Sequence, residues 1–284
     1  MRWTPGGSSE DIEDRRDAGG GGGGFPGGGR GVGLGGLLVL GVLSLVFRQD
    51  LITPFIGGGG EPTASAPDPA RTQAEKPVAD FVGFVLNDTQ KVWDQTLPET
   101  GKQYRHAKLV LFRDVTNSGC GTAESATGPF YCPPDEKVYI DLGFYDELKE
   151  RFGAPGEFAQ AYVLAHEIGH HVQKILGIES QVRRAQEANP GAQNALSVRM
   201  ELQADCLAGI WGHSAAQRNL LETGDVESGL QAAAAVGDDR IARMSGRSIS
   251  PERFTHGSAA QRVEWFKRGL SDGRVDSCDT FNTR

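Results

Sequence analysis

The run Ala161-Tyr-Val-Leu-Ala-His166-Glu167-Ile-Gly-His170-His171-Val172 places one carboxylate and three histidines within an apolar pattern of helical period. Pro155-Gly156 precede this run and Gly177 follows it, which is the placement expected at the two ends of a helix. The sequence therefore predicts a helix over 157–176, and the rest of the domain must be arranged around it.

The run contains the pattern His-Glu-x-x-His. A spacing of four residues places His166 and His170 on one face of the helix, one turn apart, where two imidazoles can bind a single Zn²⁺. Glu167 follows a ligand directly, so its carboxylate can reach a zinc-bound water and act as general base. The alternative is a partly buried His/Glu helix that binds no metal. The apolar helical context favours the zinc site.

A catalytic zinc site needs a third protein ligand and an open position for water. Glu201-Leu-Gln-Ala-Asp205 again spaces two acids by four residues on a predicted helix, among apolar neighbours. One carboxylate can bind zinc while the other orients a ligand imidazole, and we assign these roles to Glu201 and Asp205 respectively. His171 and His213 are weaker candidates, because helix geometry rotates His171 away from the other two histidines.

His256 lies in Thr255-His256-Gly257-Ser258, at the start of the final predicted helix. Its imidazole can donate a hydrogen bond to a developing oxyanion, which makes it a candidate catalytic residue. The segment also resembles the Thr-His segment found late in membrane-associated gluzincins, where it can approach the metal. This resemblance implies that His256 can instead occupy the open position in a resting state. A third interpretation is a helix-flanking histidine that satisfies backbone groups near Gly257.

Four cysteines, Cys120, Cys132, Cys206 and Cys278, form an even set that fits an oxidising compartment. Three pairings are possible. We expect Cys120 to pair with Cys132 across a loop that contains Gly, Ser and Pro, which leaves Cys206 to pair with Cys278.

The N-terminal region differs in composition from the rest of the chain. Residues 1–60 hold 20 of the 40 glycines, which predicts a disordered Gly-rich tail over 1–30. Residues 31–47 carry no charge and are rich in Leu and Val, which predicts one transmembrane anchor. A Gly- and Pro-rich linker over 48–75 follows, and a cleaved signal peptide is the alternative to the anchor.

Four arginines precede the anchor and one follows it within 20 residues, namely Arg2, Arg15, Arg16, Arg30 and then Arg48. This bias predicts a single-pass protein of the cell membrane, with a cytoplasmic N-terminus and an extracytoplasmic catalytic domain. The formal charge of −8 and the pI near 5.3 argue against a nucleic-acid partner.

The folded domain is expected over 76–284. Apolar spacing predicts a helix over 78–97, and two short β-rich runs at 108–112 and 138–142 predict strands. Helices are predicted after them at 145–151, 157–176, 193–213, 226–244 and 257–270. Strands followed by helices indicate an α+β domain, in which a small sheet packs beside a mainly helical bundle.

The chain resembles the bacterial neutral zinc metallopeptidase family over nearly its whole length. The resemblance rests on Met1-Arg2-Trp3, Ile12-Glu-Asp-Arg-Arg16, the Gly-rich stretch and span, Cys120-Gly121 with Tyr131-Cys132-Pro133, His166 to His171, Glu201 to Gly209, and Thr255-His256-Gly257-Ser258. It implies a zincin-like metallopeptidase domain. The Glu-x-x-x-Asp placement also resembles that of gluzincins, which implies Glu201 as zinc ligand and Asp205 as the partner of His166.

The expected function is hydrolysis of a peptide or protein substrate by a zinc-activated water, with Glu167 as general base. We expect the substrate to align along the run Val138 to Asp141 as an edge strand. Two alternatives stay open. One is a non-catalytic, zinc-stabilised binding or chaperone-like ectodomain, and the other is a zinc amidase that acts on cell-wall peptides.

Overall fold

The computed structural model describes residues 1–4, 9–18, 66–125, 128–246 and 248–282. The predicted anchor at 31–47 lies outside these residues, as do 5–8, 19–30 and 48–65 of the predicted tail and linker.

A four-stranded sheet has the order β1-β2-β6-β5, and a separate hairpin is formed by β3 and β4. The strands are β1 (Ile12–Asp14), β2 (Lys108–Phe112), β3 (Val115–Ser118), β4 (Gly121–Glu124), β5 (Phe130–Cys132) and β6 (Lys137–Asp141). β1 and β6 run parallel to β2, whereas β5 runs antiparallel to β6. The run Val138 to Asp141 is therefore a central strand, and its prediction as the substrate edge is wrong. Strand β5 lies at that edge.

Nine α-helices are found in the described part of the chain. They are α1 (Pro69–Ala74), α2 (Lys76–Thr96), α3 (Gly143–Glu150), α4 (Glu157–Leu176), α5 (Ile178–Ala188), α6 (Gln193–Gln217), α7 (Asp225–Ala235), α8 (Asp238–Met244) and α9 (Ala259–Asp272). The sheet and the helices share the main apolar core, and a smaller cluster lies between the sheet and the hairpin. The predicted α+β architecture is thereby confirmed.

Helix α4 carries the histidines and lies at the centre of the domain. Its backbone leaves the helix at Gly177 with a φ of 78°, a left-handed conformation that glycine adopts without strain. Most of its side chains are buried, including Phe158 and Leu164 at 0% exposure. The burial explains why the apolar pattern of this helix is nearly continuous rather than confined to one stripe.

The helices differ from the prediction in two places. The helix predicted over 226–244 is broken at Gly237, where an added Cβ would lie 2.3 Å from the backbone nitrogen of Ala259. The close approach of the chain after residue 256 ends α7 there. Helix α5 was not predicted, because its polar composition carries little apolar signal; Val182 is its one buried residue.

The N-terminal segment packs on the domain, in contrast to the tail predicted over 1–30. Strand β1 pairs with β2 at Ile12 to Asp14, Trp3 contacts Phe81 edge-on at 5.2 Å, and the Arg16 guanidinium is buried against Asp14 and Glu75. Residues 9–18 and Trp3 are therefore part of the folded domain. The prediction of disorder does not hold for them.

The two segments that flank the predicted anchor lie in this one domain. The Asp17 carboxylate accepts a hydrogen bond from the Asp68 backbone N–H at 3.0 Å. A single crossing between these residues would place them on opposite sides of a membrane. No helix in the described part of the chain is long and apolar enough to cross a membrane. The predicted single-pass localisation, with a cytoplasmic N-terminus and an extracytoplasmic domain, is therefore wrong.

Candidate metal centre

The metal centre lies where α4 and α6 approach each other. At Gly169 an added Cβ would lie 3.0 Å from the carbonyl oxygen of Ala204 and 3.1 Å from its Cα. A larger residue would force the two backbones apart, so the glycine between the histidines brings α6 against the His-Glu-x-x-His turn. As a consequence, Glu201 on α6 faces His166 and His170 on α4.

His166, His170 and Glu201 present one ligand atom each, and these atoms lie within 4.8 Å of one another. The Glu201 carboxylate lies 3.2 Å from Nε2 of His166 and 3.5 Å from Nε2 of His170. Ligand atoms about 2.1 Å from a tetrahedral ion are about 3.4 Å apart, so the arrangement fits a single Zn²⁺. The predicted ligand set therefore converges on one point.

Charge at the site also suits a cation. Burial disfavours ionisation of Glu201, but His170 and His166 hold its pKa well below its ordinary value. Burial also lowers the pKa of His170, which favours the neutral imidazole that a metal requires.

Asp205 lies behind His166, as predicted. Its Oδ1 is 2.9 Å from Nδ1 of His166, so the ring can direct Nε2 toward Glu201. Burial raises the pKa of Asp205, but the charge of Arg262 and the hydrogen bond from His166 outweigh this and lower it. Asp205 is therefore an ionised, fully buried partner of the ligand.

Arg262 and Tyr162 complete this cluster, and neither was predicted from the sequence. Arg262, on α9, donates from Nε to Asp205 at 2.8 Å and contacts the Tyr162 hydroxyl at 3.3 Å. The Tyr162 hydroxyl donates to Asp205 at 2.5 Å. Tyr162 lies one turn before His166 on α4, and this spacing could have indicated that it belongs to the site. Arg262 lies 57 residues after Asp205, and no local pattern links the two.

Glu167 lies beside the ligands in a buried position. Burial raises the pKa of its carboxyl to about 7, and the negative charge of Glu201 adds to this while His166 opposes it. The backbone N–H of Tyr131 on β5 donates a hydrogen bond to the same carboxylate. The group can therefore take up and release a proton near neutral pH while β5 holds it in place.

Comparison with known proteins agrees with this geometry. Residues 1–281 match the family described as "Putative neutral zinc metallopeptidase". The chain belongs to this family. It is 46% identical over 283 residues to "Uncharacterized protein YpfJ" of Escherichia coli, with 99% of each chain covered. It is 44% identical over 207 residues to "Uncharacterized protein Rv2575" of Mycobacterium tuberculosis, with 69% of this chain and 68% of the relative covered. No solved structure shows a significant match.

His256 lies in the loop that precedes α9, and the negative charge of Glu201 helps to raise the pKa of its imidazole. The loop that carries it is held by Asp238. One oxygen of this carboxylate accepts the backbone N–H groups of Thr255, His256 and Gly257 at 2.7, 2.7 and 3.0 Å, and the other lies 3.1 Å from Nδ1 of His256. Asp238 was not predicted as a site residue, although it directly follows Gly237, where the predicted helix is broken.

The remaining candidates have structural contacts. His171 lies 2.9 Å from the Tyr131 hydroxyl and 2.6 Å from the Arg105 carbonyl, so its ring is turned away from the ligand atoms. Nδ1 of His213 lies 2.8 Å from the Leu270 carbonyl. Disulfides join Cys120 to Cys132 and Cys206 to Cys278, which confirms the predicted pairing.

Proposed function

We propose that this zinc metallopeptidase hydrolyses peptide bonds, with His166, His170 and Glu201 as zinc ligands and Glu167 as general base. The observation that carries the proposal is the convergence of three ligand atoms within 4.8 Å, beside a buried carboxyl whose pKa is about 7. Two imidazoles and one carboxylate form a three-ligand set of the catalytic type.

Zinc held by this set would polarise the scissile carbonyl and acidify a water molecule. Glu167 then accepts the proton of the attacking water and delivers it to the leaving amine. A carboxyl with a pKa of about 7 is suited to both steps, because it is neither fully protonated nor too weak a base at neutral pH. Asp205 holds His166 in the tautomer that leaves Nε2 free for the metal.

His256 supplies the donor for the developing oxyanion. Burial lowers the pKa of its ring, but the hydrogen bond with Asp238 and the charge of Glu201 outweigh burial and raise it. Because Nδ1 contacts Asp238, Nε2 is the ring nitrogen left to donate to the substrate. Positioned donors of this kind stabilise the transition state more than the ground state.

An extended peptide or protein segment is the substrate that the surrounding surface favours. Strand β5 is paired on one side by β6, and its Tyr131 N–H contacts the carboxylate of Glu167. A substrate strand that adds to β5 would bring its scissile bond beside the general base.

The arrangement argues against a purely structural metal site. A closed structural zinc site requires a fourth protein ligand. Over the described ranges, the group of candidate ligands at this point comprises His166, His170 and Glu201. A set of three ligands leaves one coordination position open, so a non-catalytic binding domain is the less favoured function.

The proposal is tested on the purified full chain by zinc analysis and by digestion of a peptide library. Wild type, Glu167→Gln and Glu187→Gln should each hold about one zinc ion per chain. Glu167→Gln should lose roughly 10²–10⁴-fold in turnover, because an amide cannot accept the proton of water. Glu187 is exposed on α5, so its variant should cleave like wild type. Zinc binding without cleavage by wild type would instead support the non-catalytic alternative.

A further inference from the structure

We propose that Gln173 and Gln203 are positioning residues that set the tautomer of His170, and that the disulfide-bonded C-terminal segment holds them in register. The inference deepens the proposed function, because His170 is one of the proposed zinc ligands. Asp205 performs the corresponding task for His166 by direct contact. Nδ1 of His170 instead contacts the amide oxygen of Gln173, so its orientation depends on a longer chain of hydrogen bonds.

This chain runs from α4 across α6 to the C-terminal segment. Nδ1 of His170 lies 2.8 Å from Oε1 of Gln173, one turn further along α4. Nε2 of Gln173 donates to the Met200 carbonyl at 2.8 Å and to Oε1 of Gln203 at 3.0 Å. Nε2 of Gln203 donates to the Cys278 carbonyl at 3.0 Å. Gln173 and Gln203 are 0% and 6% exposed, so little water competes for these groups.

The direction of every bond follows from the far end of the chain. A backbone carbonyl can only accept, so the Cys278 oxygen requires the NH₂ group of Gln203 and turns Oε1 of Gln203 toward Gln173. That oxygen, together with the Met200 carbonyl, requires the NH₂ group of Gln173. Oε1 of Gln173 is then the atom left to face His170.

The tautomer of His170 is decided at this last step. An amide oxygen has no proton to give, so Nδ1 of His170 must be the protonated nitrogen of the neutral ring. Its Nε2 then carries the lone pair. This is the atom that lies 3.5 Å from Glu201, on the metal side. The opposite tautomer would leave Nδ1 and Oε1 of Gln173 as two facing acceptors in a buried position.

The disulfide anchors the far end. Cys278 is bonded to Cys206, which follows Asp205 directly on the helix that carries Glu201. Two further contacts hold the same segment to α6: the Thr280 hydroxyl donates to the Arg199 carbonyl at 2.7 Å, and Arg199 donates to the Phe281 carbonyl at 3.1 Å. The carbonyl that orients Gln203 is therefore fixed relative to both the ligand helix and the disulfide.

The first test uses the metal-free protein labelled with ¹⁵N-histidine, at a pH where His170 is neutral. In wild type, the ¹⁵N shifts should show His170 protonated on Nδ1. Gln173→Met keeps the side-chain length and removes the acceptor, so the ring should change to the Nε2-protonated form or to a mixture. Gln186→Met is the control, because Gln186 bonds to Gln193 and Ser197 and does not contact His170.

The second test is zinc affinity, measured by competition with a chelator. Gln173→Met and Gln203→Met should each bind zinc about 10–100-fold more weakly than wild type, which is the usual effect of removing a partner of a metal-bound histidine. The variant with Cys206→Ser and Cys278→Ser should also bind more weakly. The variant with Cys120→Ser and Cys132→Ser should not, because that disulfide lies in the strand region. Circular dichroism on each variant separates loss of affinity from loss of folding.

The outcomes separate this inference from the proposed function. An unchanged His170 tautomer and an unchanged zinc affinity in folded Gln173→Met would overturn the inference, even if wild type is an active peptidase. If Gln173→Met does not fold, the His170 tautomer and the zinc affinity of Gln203→Met test the inference instead. A wild-type protein that fails to bind zinc would remove the proposed function, while the tautomer in the metal-free protein still tests the positioning role.

Discussion

Arg262 and Asp205 form a buried two-point ion pair, in which Nε donates to Oδ2 at 2.8 Å and Nη2 donates to Oδ1 at 2.9 Å. Asp205 is 0% exposed and Arg262 is 3% exposed. The guanidinium thus allows a carboxylate to remain ionised inside the protein, where it can orient a ligand histidine. The stability of the fold and the arrangement of the site depend on the same contact.

We expect Arg262→Met to destabilise the protein by about 3–5 kcal/mol, because it leaves the Asp205 charge buried without its partner. Arg262→Lys should recover little, since an ammonium cannot make both contacts. Urea unfolding of the metal-free protein measures the loss. Arg268→Met on the same helix is the control: its ion pair with Glu264 is a surface contact, and about 1 kcal/mol or less is expected. Equal losses for the two methionine variants would contradict this view of the pair.

The position of Arg262 depends on close packing of α9 on α6. An added Cβ at Gly269 would lie 1.9 Å from the Cys206 carbonyl oxygen. Gly269→Ala must push the two helices apart, and we expect a loss of at least 1–3 kcal/mol, roughly the usual effect of overpacking. Gly212→Ala is the matched control on the same helix, because its added Cβ would meet side chains and no backbone: the end of Leu270 at 3.0 Å and the Phe158 ring at 3.6 Å. Thermal unfolding should show a much lower Tm for Gly269→Ala than for Gly212→Ala.

Local patterns predicted some of this architecture well. The helix expected over 157–176 is found as Glu157–Leu176, because its apolar run and the glycines at its ends are local signals. The three ligands were predicted for the same reason, since helical spacing of four places each pair on one face. The disulfide between Cys120 and Cys132 was predicted from the short loop that they enclose, and Cys206 and Cys278 were the pair that remained.

Features that depend on distant parts of the chain were missed. Strand β1 is only three residues long, and it forms because β2 offers an edge for pairing and the buried Arg16 guanidinium pairs with Asp14 and Glu75. Neither condition is visible at Ile12. The pairing of Arg262 with Asp205 and the capping of the His256 loop by Asp238 likewise join residues whose separation carries no periodicity.

The docking of β1 should depend on pH through His106. Its imidazole lies 2.8 Å from Asp11, at the start of β1, and 3.0 Å from Asp94. Burial lowers the pKa of His106, but the hydrogen bonds with Asp94 and Asp11 outweigh it, and the pKa is raised above 6.5. The stabilisation is therefore fully present below pH 6.5 and is lost as the pH rises through the raised value. Burial likewise opposes the lowered pKa of Asp11, whose contribution is lost as the pH falls below 3.8.

Hydrogen exchange checks this prediction at the Arg15 amide, which donates to the Leu111 carbonyl at 2.7 Å. After correction for intrinsic exchange, protection should be greater at about pH 5.5 than at about pH 8.5, on either side of the imidazole pKa. His106→Asn should remove the difference. Because His106 is half-exposed, added salt should also reduce it. The same pH dependence in His106→Asn would assign the effect to other groups.

The last prediction concerns His256, whose loop and ring are held by Asp238. If His256 steadies the oxyanion, His256→Ala should lower kcat by roughly 10²-fold or more and leave zinc content unchanged. If it instead occupies the open position of the metal, the same variant should gain activity. Asp238→Asn separates orientation from chemistry, because it keeps the histidine and weakens the hydrogen bonds that fix it. We expect a loss in kcat for this variant that is smaller than that of His256→Ala.

His213→Ala is the control, since His213 contacts the Leu270 carbonyl and not the site. Normal kcat and normal zinc content in His256→Ala would contradict both roles. The histidine would then be a helix-flanking residue that satisfies backbone groups near Gly257. The next candidate for the oxyanion donor would be Arg262, whose Nη2 lies 3.8 Å from Glu201.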